Sequence, residues 1–363
     1  MDSPLLAVPG AVPADPPDRG VAAHYGDPFA EQRALAGSAA VVDRSDRDVV
    51  RITGQDRLGW LNSLSTNKLD DLPAGEARQA LILSPHGHVE HHLSLVDDGS
   101  SIWIHVEPGE AAPLLEFLAS MRFMMRVQEQ DVTSEYAVLT VPAGGEPAGA
   151  GAAASAGAAV GDGAGAGVAA GADSTAGPVA TMPFGFGTDL VVERARLSAA
   201  ADTLRSGGRS LAGLWAHEAL RIAGHRVRFG ADTDHRTIPH EVGWIEQAVH
   251  LSKGCYRGQE TVARVHNLGH PPRRLVMLHL DGSDSELPGH GAEVSLDGKA
   301  VGFVGSSARH YELGPIALAL VKRTVPVEAT LLAGGVSAAQ EVIVSPDAGA
   351  HVKIAMTRRR GLV

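Results

Sequence analysis

The sequence is short of cysteine, of aromatic side chains and of long apolar runs. Its single cysteine, Cys255, excludes an intramolecular disulfide, an all-cysteine zinc site and an iron–sulfur cluster held by four cysteines of one chain. Aromatic residues make up 4% of the 363 residues, which argues against binding single-stranded nucleic acid by stacking bases on rings. No window has the roughly 18 consecutive apolar residues of a spanning helix. The amino terminus has no basic stretch before an apolar run, so we predict a soluble cytoplasmic protein without a secretory signal.

Positive charge is also scarce. The chain has 31 Lys and Arg against 42 Asp and Glu, a formal charge of −11. A chain this acidic is not a general nucleic-acid coat, although one basic face is compatible with the composition. The apolar content of 44% is ordinary for a globular protein, and the length suits two or three domains that each bury a core.

Composition and hydrophobic patterning divide the chain into six segments. Hairpin and helix patterns follow one another without regular βαβ units, which indicates an α+β protein. A segment made almost only of Ala and Gly cannot bury enough apolar surface to order itself, so we predict a disordered insert. Late strands joined by Gly turns predict a small antiparallel β-barrel. The segments are a disordered amino terminus (1–25), an α+β domain (26–142), the insert (143–178), a middle α+β domain (179–270), the barrel (271–350) and a basic tail (351–363).

The segment Lys253–Glu260 carries the most specific chemistry, because it places the only thiol between two glycines. Residues 251–275 contain five basic side chains and one acidic side chain, a local charge of +4. Nearby cations favour the thiolate, which is the nucleophile and the metal ligand. Gln259 and Glu260 are placed to begin a helix whose first amides favour an anion. We interpret Cys255 as a reactive or metal-ligating thiol beside an anionic ligand; a buried structural cysteine in a Gly-rich turn is the alternative.

Residues 253–260 resemble the K-G-C-Y-x-G-Q-E motif of the YgfZ family, which is related to the T-protein of the glycine cleavage system, a folate-dependent aminomethyltransferase. Residues 51–67 resemble the amino-terminal pattern of T-proteins, 213–221 their middle helix and 313–319 their barrel. The resemblance covers about residues 27–345, apart from the insert.

The resemblance implies a three-domain ring around a channel for a tetrahydrofolate-type cofactor. It also implies a role in assembling or repairing iron–sulfur enzymes, including tRNA-modifying ones, with Cys255 as the functional residue. Because one cysteine cannot hold a cluster, any transient cluster would be shared with a partner or a small thiol. The residues assigned to the ligand beside Cys255 are Asn67, Arg221, Lys253, Tyr256, Arg257, Gln259, Glu260 and Arg264, of which Lys253, Arg257 and Arg264 would keep the thiolate ionised.

Two positions depart from the aminomethyltransferase pattern. Where T-proteins have the Asp pair that supplies the catalytic carboxylate, this chain has His91 and His92. Strand alternation places the neighbouring Glu90 on the opposite face from His91, so aminomethyl transfer is not our leading interpretation. Where T-proteins have the Glu that binds the pterin ring, this chain has Ala223, and each ring donor left unpaired would cost about 1–3 kcal/mol.

Two other functions stay open. A one-carbon transferase would need another acid or base, for which residues 232–241 offer Asp234, His235, His240 and Glu241, although a plain surface loop fits this segment as well. A tRNA-contacting accessory protein would bind through Arg257 and Arg264, with salt-dependent affinity.

The histidines at 86, 88, 91 and 92 favour a polar channel lining over a metal site, since they alternate between two strand faces.

Overall fold

The computed structural model describes residues 1–142, 177–184, 187–283 and 286–349. The predicted insert, apart from residues 177 and 178, and the predicted basic tail lie outside these residues. Strands and helices are numbered in chain order. The described elements are the mixture of antiparallel sheets and short helices that the sequence predicts, so the α+β class is confirmed.

One five-stranded antiparallel sheet supports the hairpin that the cysteine motif contacts. Its order is β5–β6–β7–β4–β8, formed by β4 (Asp48–Thr53), β5 (Ala77–Leu83), β6 (Val89–Asp97), β7 (Ser101–Val106) and β8 (Gln128–Asp131). Helices α2 (Arg57–Leu64) and α3 (Ala111–Ser120) cover one face of this sheet. On that face Ile82, Leu93 and Ile104 pack with Leu61 and Leu114, because side chains alternate between the two faces of a strand.

A second sheet joins residues from both sides of the Ala/Gly-rich segment. Its order is β10–β11–β9–β3–β12, formed by β3 (Ala40–Asp43), β9 (Tyr136–Pro142), β10 (Ala180–Phe184), β11 (Gly187–Glu193) and β12 (Ser210–Ala212). Helix α4 (Leu197–Ser206) packs on one face, whereas α1 (Pro28–Ala36) and α5 (Leu214–Ala223) pack on the other. The predicted boundary at residue 142 therefore does not separate two sheets, since β11 pairs with β9 along seven residues.

The amino-terminal segment is folded, so the prediction of disorder for residues 1–25 is wrong. Residues Pro4–Ala7 form a short 3₁₀ helix, and β1 (Val12–Pro13) pairs with β2 (Ala22–His24). Leu5 is buried against the second sheet, and the Ser3 hydroxyl donates a hydrogen bond to Asp43. Ser3 and Asp43 are 40 positions apart along the chain, and local composition does not reveal such a contact.

The carboxy-terminal strands close into a six-stranded antiparallel barrel, as predicted. Alternate side chains face inward and outward along a barrel strand. Val276 and Leu278 therefore fill the interior, whereas Leu275 and Met277 pack outward on Tyr256 and its neighbours. The strands are β13 (Arg273–Leu280), β14 (Glu293–Leu296), β15 (Lys299–His310), β16 (Gly314–Lys322), β17 (Leu331–Ala333) and β18 (Val336–Val342).

Between α5 and the barrel lie three short elements: a 3₁₀ turn (Pro239–Val242), α6 (Ile245–Ala248) and α7 (Gln259–Leu268). The helix expected to begin near Gln259 is thus present. No helix in the described part of the chain is long and apolar enough to cross a membrane.

Candidate functional site

The cysteine motif forms the turn between α6 and α7, and Cys255 is exposed there. The alternative of a buried structural cysteine is therefore excluded. The turn lies directly on the β5–β6 hairpin turn. A Cβ atom on Gly258, which has φ +80°, would lie 2.6 Å from the carbonyl oxygen of Ser84, and one on Gly87 would lie 2.7 Å from Cβ of Thr261. Both glycines are required for this close approach.

Lys253 does not face an anion, in contrast to the sequence prediction. Its ammonium donates to the carbonyl oxygens of Asn62, Ser65 and Asn67 at 2.5, 2.7 and 2.7 Å. An ammonium has three N–H donors, and all three are used. Burial lowers the pKa of Lys253 to about 8. Lys253 therefore fastens the motif to the segment that follows α2.

Three other residues assigned to the ligand also hold the loop together. The Tyr256 ring is buried in the core shared with the barrel, and burial raises its pKa to about 12. The Gln259 amide donates to the carbonyl oxygen of Lys253 at 3.4 Å. The Asn67 amide donates to the carbonyl oxygen of Gln79 at 2.7 Å. Their ligand contacts stay predictions, and their visible contacts are structural.

Arg257 is the motif cation that stays near the surface. Its Nη1 atom donates to Oε2 of Glu90 at 2.9 Å, and its guanidinium carbon lies 5.5 Å from the centroid of the Phe117 ring. The side chains of Arg257 and Glu90 are 33% and 36% exposed, so this ion pair borders on solvent. An arginine over an aromatic face gains a cation–π attraction as well. Arg257 is thus oriented by two groups of the amino-terminal domain, two residues from the exposed thiol.

Glu90 falls at an irregularity of β6, where the simple alternation that predicted its placement on the opposite face from His91 does not apply. Ile82 pairs with His91, but Leu83 pairs with Val89, which leaves Glu90 as the extra residue of a β-bulge. A bulge shifts the alternation of side chains by one residue. Glu90 therefore reaches the guanidinium above Phe117, while the His91 ring lies 6.2 Å from the same phenyl ring.

The two histidines at the position of the T-protein Asp pair have different surroundings. His91 is buried, and its Nδ1 atom lies 3.5 Å from Oε2 of Glu110. The His92 ring stacks on Trp244, with centroids 4.6 Å apart and planes 5° apart. Burial lowers the pKa of His92 to about 4, so this imidazole is neutral at pH 7. Within the described residues no group of three or more His, Cys, Asp or Glu is arranged to hold a metal ion.

Arg221, also assigned to the ligand, lies in a buried network instead. It donates to both carboxylate oxygens of Glu218 and to Asp232 at 2.7 Å, as well as to a backbone carbonyl. Asp232 in turn accepts the backbone N–H of Ser306 at 2.8 Å and so connects the middle domain with the barrel. Because the Arg221 donors are engaged and Ala223 has no polar side chain, neither position offers a pterin ring a free hydrogen-bonding group.

The polar loop at residues 232–241 also serves the interface with the barrel. Arg273, at the start of β13, donates to two carboxylates of the loop, Asp234 at 2.7 Å and Glu241 at 2.8 Å. His240 is buried and lies 6.2 Å from the His266 ring, and burial lowers its pKa to about 4. Glu260 and Arg264 are exposed on the first turns of α7, and their ligand contacts stay predictions.

The structure thus gathers Cys255, Arg257, Glu90 and Phe117 at one edge of the amino-terminal sheet. Sequence reasoning missed Glu90 and Phe117 as neighbours of the motif. Glu90 lies 167 positions from Arg257, and the bulge that turns it toward Arg257 has no local sequence signal. Phe117 could be predicted from the sequence only as an apolar residue of α3, and nothing in the sequence distinguishes it from the other apolar residues of that helix.

Comparisons with known proteins agree with this architecture. Residues 273–359 match the family model of the glycine cleavage T-protein C-terminal barrel domain. The chain is 26% identical over 303 residues to an aminomethyltransferase of a Nostoc species, covering 80% of this chain and 79% of that protein. It is 24% identical over 303 residues to a putative chloroplast transferase of Arabidopsis thaliana, covering 78% of this chain and 66% of that protein.

The structural comparison establishes the fold. The crystal structure of the glycine cleavage system aminomethyltransferase T from Bartonella henselae superposes with a TM-score of 0.72, at 16% identity, over 93% of this chain and 94% of that one. The chain therefore has the glycine cleavage T-protein fold, and its carboxy-terminal barrel matches the T-protein barrel model.

Proposed function

We propose that this T-protein-like chain helps to assemble or repair iron–sulfur enzymes, including tRNA-modifying ones, through the thiol of Cys255. The observation that carries the proposal is the exposure of the only cysteine on a turn that other contacts make rigid. Lys253 fixes one side of the turn, and the contact between Gly258 and Gly87 fixes the other. An accessible thiol on a loop that several contacts hold in place is typical of a residue that reacts, or binds a metal, at a fixed position.

The chemistry follows from a single sulfur. One thiolate supplies one of the ligands that an iron–sulfur cluster needs, so the cluster is cargo shared with a client enzyme or a small thiol. Arg257 is one-third exposed and held by Glu90, so its guanidinium can face an anionic group of that partner. Lys253 contributes rigidity rather than charge, since its donors are taken by carbonyl oxygens.

A tetrahydrofolate-type ligand is part of the resemblance, but the residues of the middle helix do not fit a pterin ring. Ala223 offers no side-chain acceptor, and the Arg221 guanidinium is already bound by Glu218 and Asp232. The function proposed for Cys255 therefore does not involve folate. Titrating the purified protein with 5-formyltetrahydrofolate and following tryptophan fluorescence tests whether a folate binds elsewhere in the fold.

The test of the proposed function uses cells that lack the protein. Several iron–sulfur enzymes are assayed after restoring the wild type, Cys255→Ser or Ser252→Ala, with protein levels matched. We expect the wild type and Ser252→Ala to restore activity and Cys255→Ser to fail. Ser252 is exposed in the same loop, which makes it the matched control. Normal iron–sulfur enzymes in the deleted cells, or full rescue by Cys255→Ser, would overturn the proposal.

A second candidate is a folate-dependent one-carbon transferase, which the similarity to aminomethyltransferases favours. The carboxylate at the motif is Glu90, and it is bound to Arg257 rather than directed at an open position. Supplying lipoyl-bound aminomethyl donor and tetrahydrofolate tests this candidate directly. Turnover that Glu90→Gln abolishes would establish it, whereas absence of turnover would leave the thiol function as the one to pursue.

A further inference from the structure

A pocket lies where α4 ends beside β12 and the amino-terminal segment. Its volume is about 570 Å³, within the range of small-molecule sites. The walls come from Val8 after the 3₁₀ helix, from Tyr25 after β2, and from the end of α4, the start of β12 and the segment between them. None of these residues belongs to the site described above.

The pocket wall contains two hydrogen-bond donors that the protein does not satisfy. The Tyr25 hydroxyl and the Nε atom of Arg209 are both buried and have no hydrogen-bond partner. A buried polar group without a partner is unfavourable, because it has lost its hydrogen bonds to water and gained none in exchange. Both groups belong to side chains that line the same pocket, so a ligand oxygen entering beside Arg205 can supply the acceptor that they lack.

The Tyr25 hydroxyl is a donor rather than a phenolate. Its pKa is raised, first by burial and then by the nearby carboxylates of Asp43 and Glu31. Those carboxylates have partners of their own. Asp43 accepts from Ser3, and Glu31 accepts backbone N–H groups on both oxygens. The hydroxyl therefore keeps its proton and needs an acceptor from elsewhere.

The charge in the pocket favours an anion. The charged side chains that line it are Arg205, Arg209 and Asp202, a net charge of +1 in a chain of −11. Arg205 pairs with Asp202 at 2.9 Å, but their side chains are 46% and 64% exposed. A pair this exposed is only weakly stabilising, so Arg205 can exchange Asp202 for a ligand oxygen.

We propose that this pocket binds a small anionic molecule, with a phosphate or carboxylate group between Arg205, Arg209 and Tyr25 and a compact apolar body against Val8 and Leu211. The oxygens of the anion supply the acceptors that the Tyr25 hydroxyl and Arg209 lack. The two apolar side chains account for the remaining wall on the side of the 3₁₀ helix and β12. The exposed Arg205 side chain is the part of the wall that moves to admit the ligand.

The test titrates the full-length protein with phenyl phosphate, benzoate, inorganic phosphate and the neutral benzyl alcohol by isothermal calorimetry. We expect phenyl phosphate or benzoate to bind at least tenfold more tightly than benzyl alcohol, and affinity to fall with added salt. The stronger of the two identifies the head group. Binding of inorganic phosphate nearly as tight as phenyl phosphate would contradict the role of Val8 and Leu211.

Two variants distinguish binding in this pocket from nonspecific binding to surface charge. Tyr25→Phe should lower affinity about fivefold to tenfold, the loss of one hydrogen bond, without lowering the melting temperature, because the hydroxyl has no partner in the free protein. Arg205→Gln should lower it at least fivefold. Arg196→Gln is the matched control at the other end of α4, since Arg196 also pairs three residues away, with Glu193 at 3.1 Å, and is 44% exposed.

The proposal fails if no anion binds the wild type up to millimolar concentration, or if Arg196→Gln weakens binding as much as Arg205→Gln. It also fails if Tyr25→Phe binds as the wild type does, because the unsatisfied hydroxyl would then have no part in the site. The proposal does not rest on the function proposed for Cys255, and its readout is binding alone.

Discussion

Arg257 and Arg228 both bind carboxylates that are distant in sequence, but in opposite surroundings. Arg257 donates to Glu90 at 2.9 Å at the surface, with both side chains about one-third exposed. Arg228 is 7% exposed and lies between Asp18 of the amino-terminal segment and Glu107, the residue after β7, which it contacts at 2.9 and 2.6 Å. Exposed pairs contribute little to stability, whereas breaking a buried pair leaves an uncompensated charge. We infer that Arg228 maintains the fold and that Arg257 is available for function.

The substitution with the largest expected effect is at Arg228, the buried arginine of this comparison. Arg228→Met leaves Asp18 and Glu107 without their shared cation, and we expect a loss of about 3–5 kcal/mol in the free energy of unfolding. Urea denaturation measures it. Hydrogen exchange should show the greatest loss of protection in the amino-terminal segment, which Asp18 fastens to the middle domain. A loss below about 1 kcal/mol would contradict a structural role for this cluster.

Lys253→Met is expected to cost about 2–3 kcal/mol, because three carbonyl oxygens, one buried and two partly buried, lose a charged donor. The same unfolding measurement applies. Lys68→Met serves as the control, since Lys68 contacts Asp71 at the surface and its side chain is 40% exposed. Equal effects of the two substitutions would show that Lys253 does not fasten the motif loop.

The buried network also predicts a pH dependence. Burial first, and the charge of Arg44 second, lower the pKa of His217 to about 4, because Arg44 donates to its Nε2 atom at 2.9 Å. The unfolded chain then binds more protons than the folded one between pH 4 and 6.5, so stability is lost as the pH falls through this window. From pH 7 to pH 5 we expect the wild type to lose about 2 kcal/mol more than His217→Gln, which keeps an acceptor for Arg44. Parallel pH profiles would contradict this assignment.

The smallest effect concerns the exposed pair. Arg257→Gln and Glu90→Gln should each change the free energy of unfolding by less than about 1 kcal/mol. Their effect should appear in the alkylation of Cys255, as the ratio of rates with anionic iodoacetate and neutral iodoacetamide. We expect Arg257→Gln to lower this ratio about twofold to fivefold and Glu90→Gln to raise it, because each removes one charge beside the thiol. An unchanged ratio in both variants would show that the pair does not act on Cys255.

Much of the fold and part of the site could be predicted from the sequence. The late strands joined by Gly turns predicted the barrel, and the glycines on either side of Cys255 marked the motif as a site of close backbone approach. Helix α3 ends at Ser120, and Phe123 adopts a positive φ of 45° in the turn that follows. The folded amino terminus and the partners of Lys253 were not predictable, since both depend on contacts between distant segments.

The sequence by itself determined that this protein has one thiol, that the thiol lies between glycines in a basic segment, and that the strands after residue 271 form a barrel. These properties are local, since they depend on residue type and on spacing over a few positions. The tertiary structure decided which groups the nearby charges contact. It buried Lys253 among carbonyl oxygens and, through one bulge in β6, turned Glu90 toward Arg257, because the register of a sheet and not the local sequence sets where a side chain points.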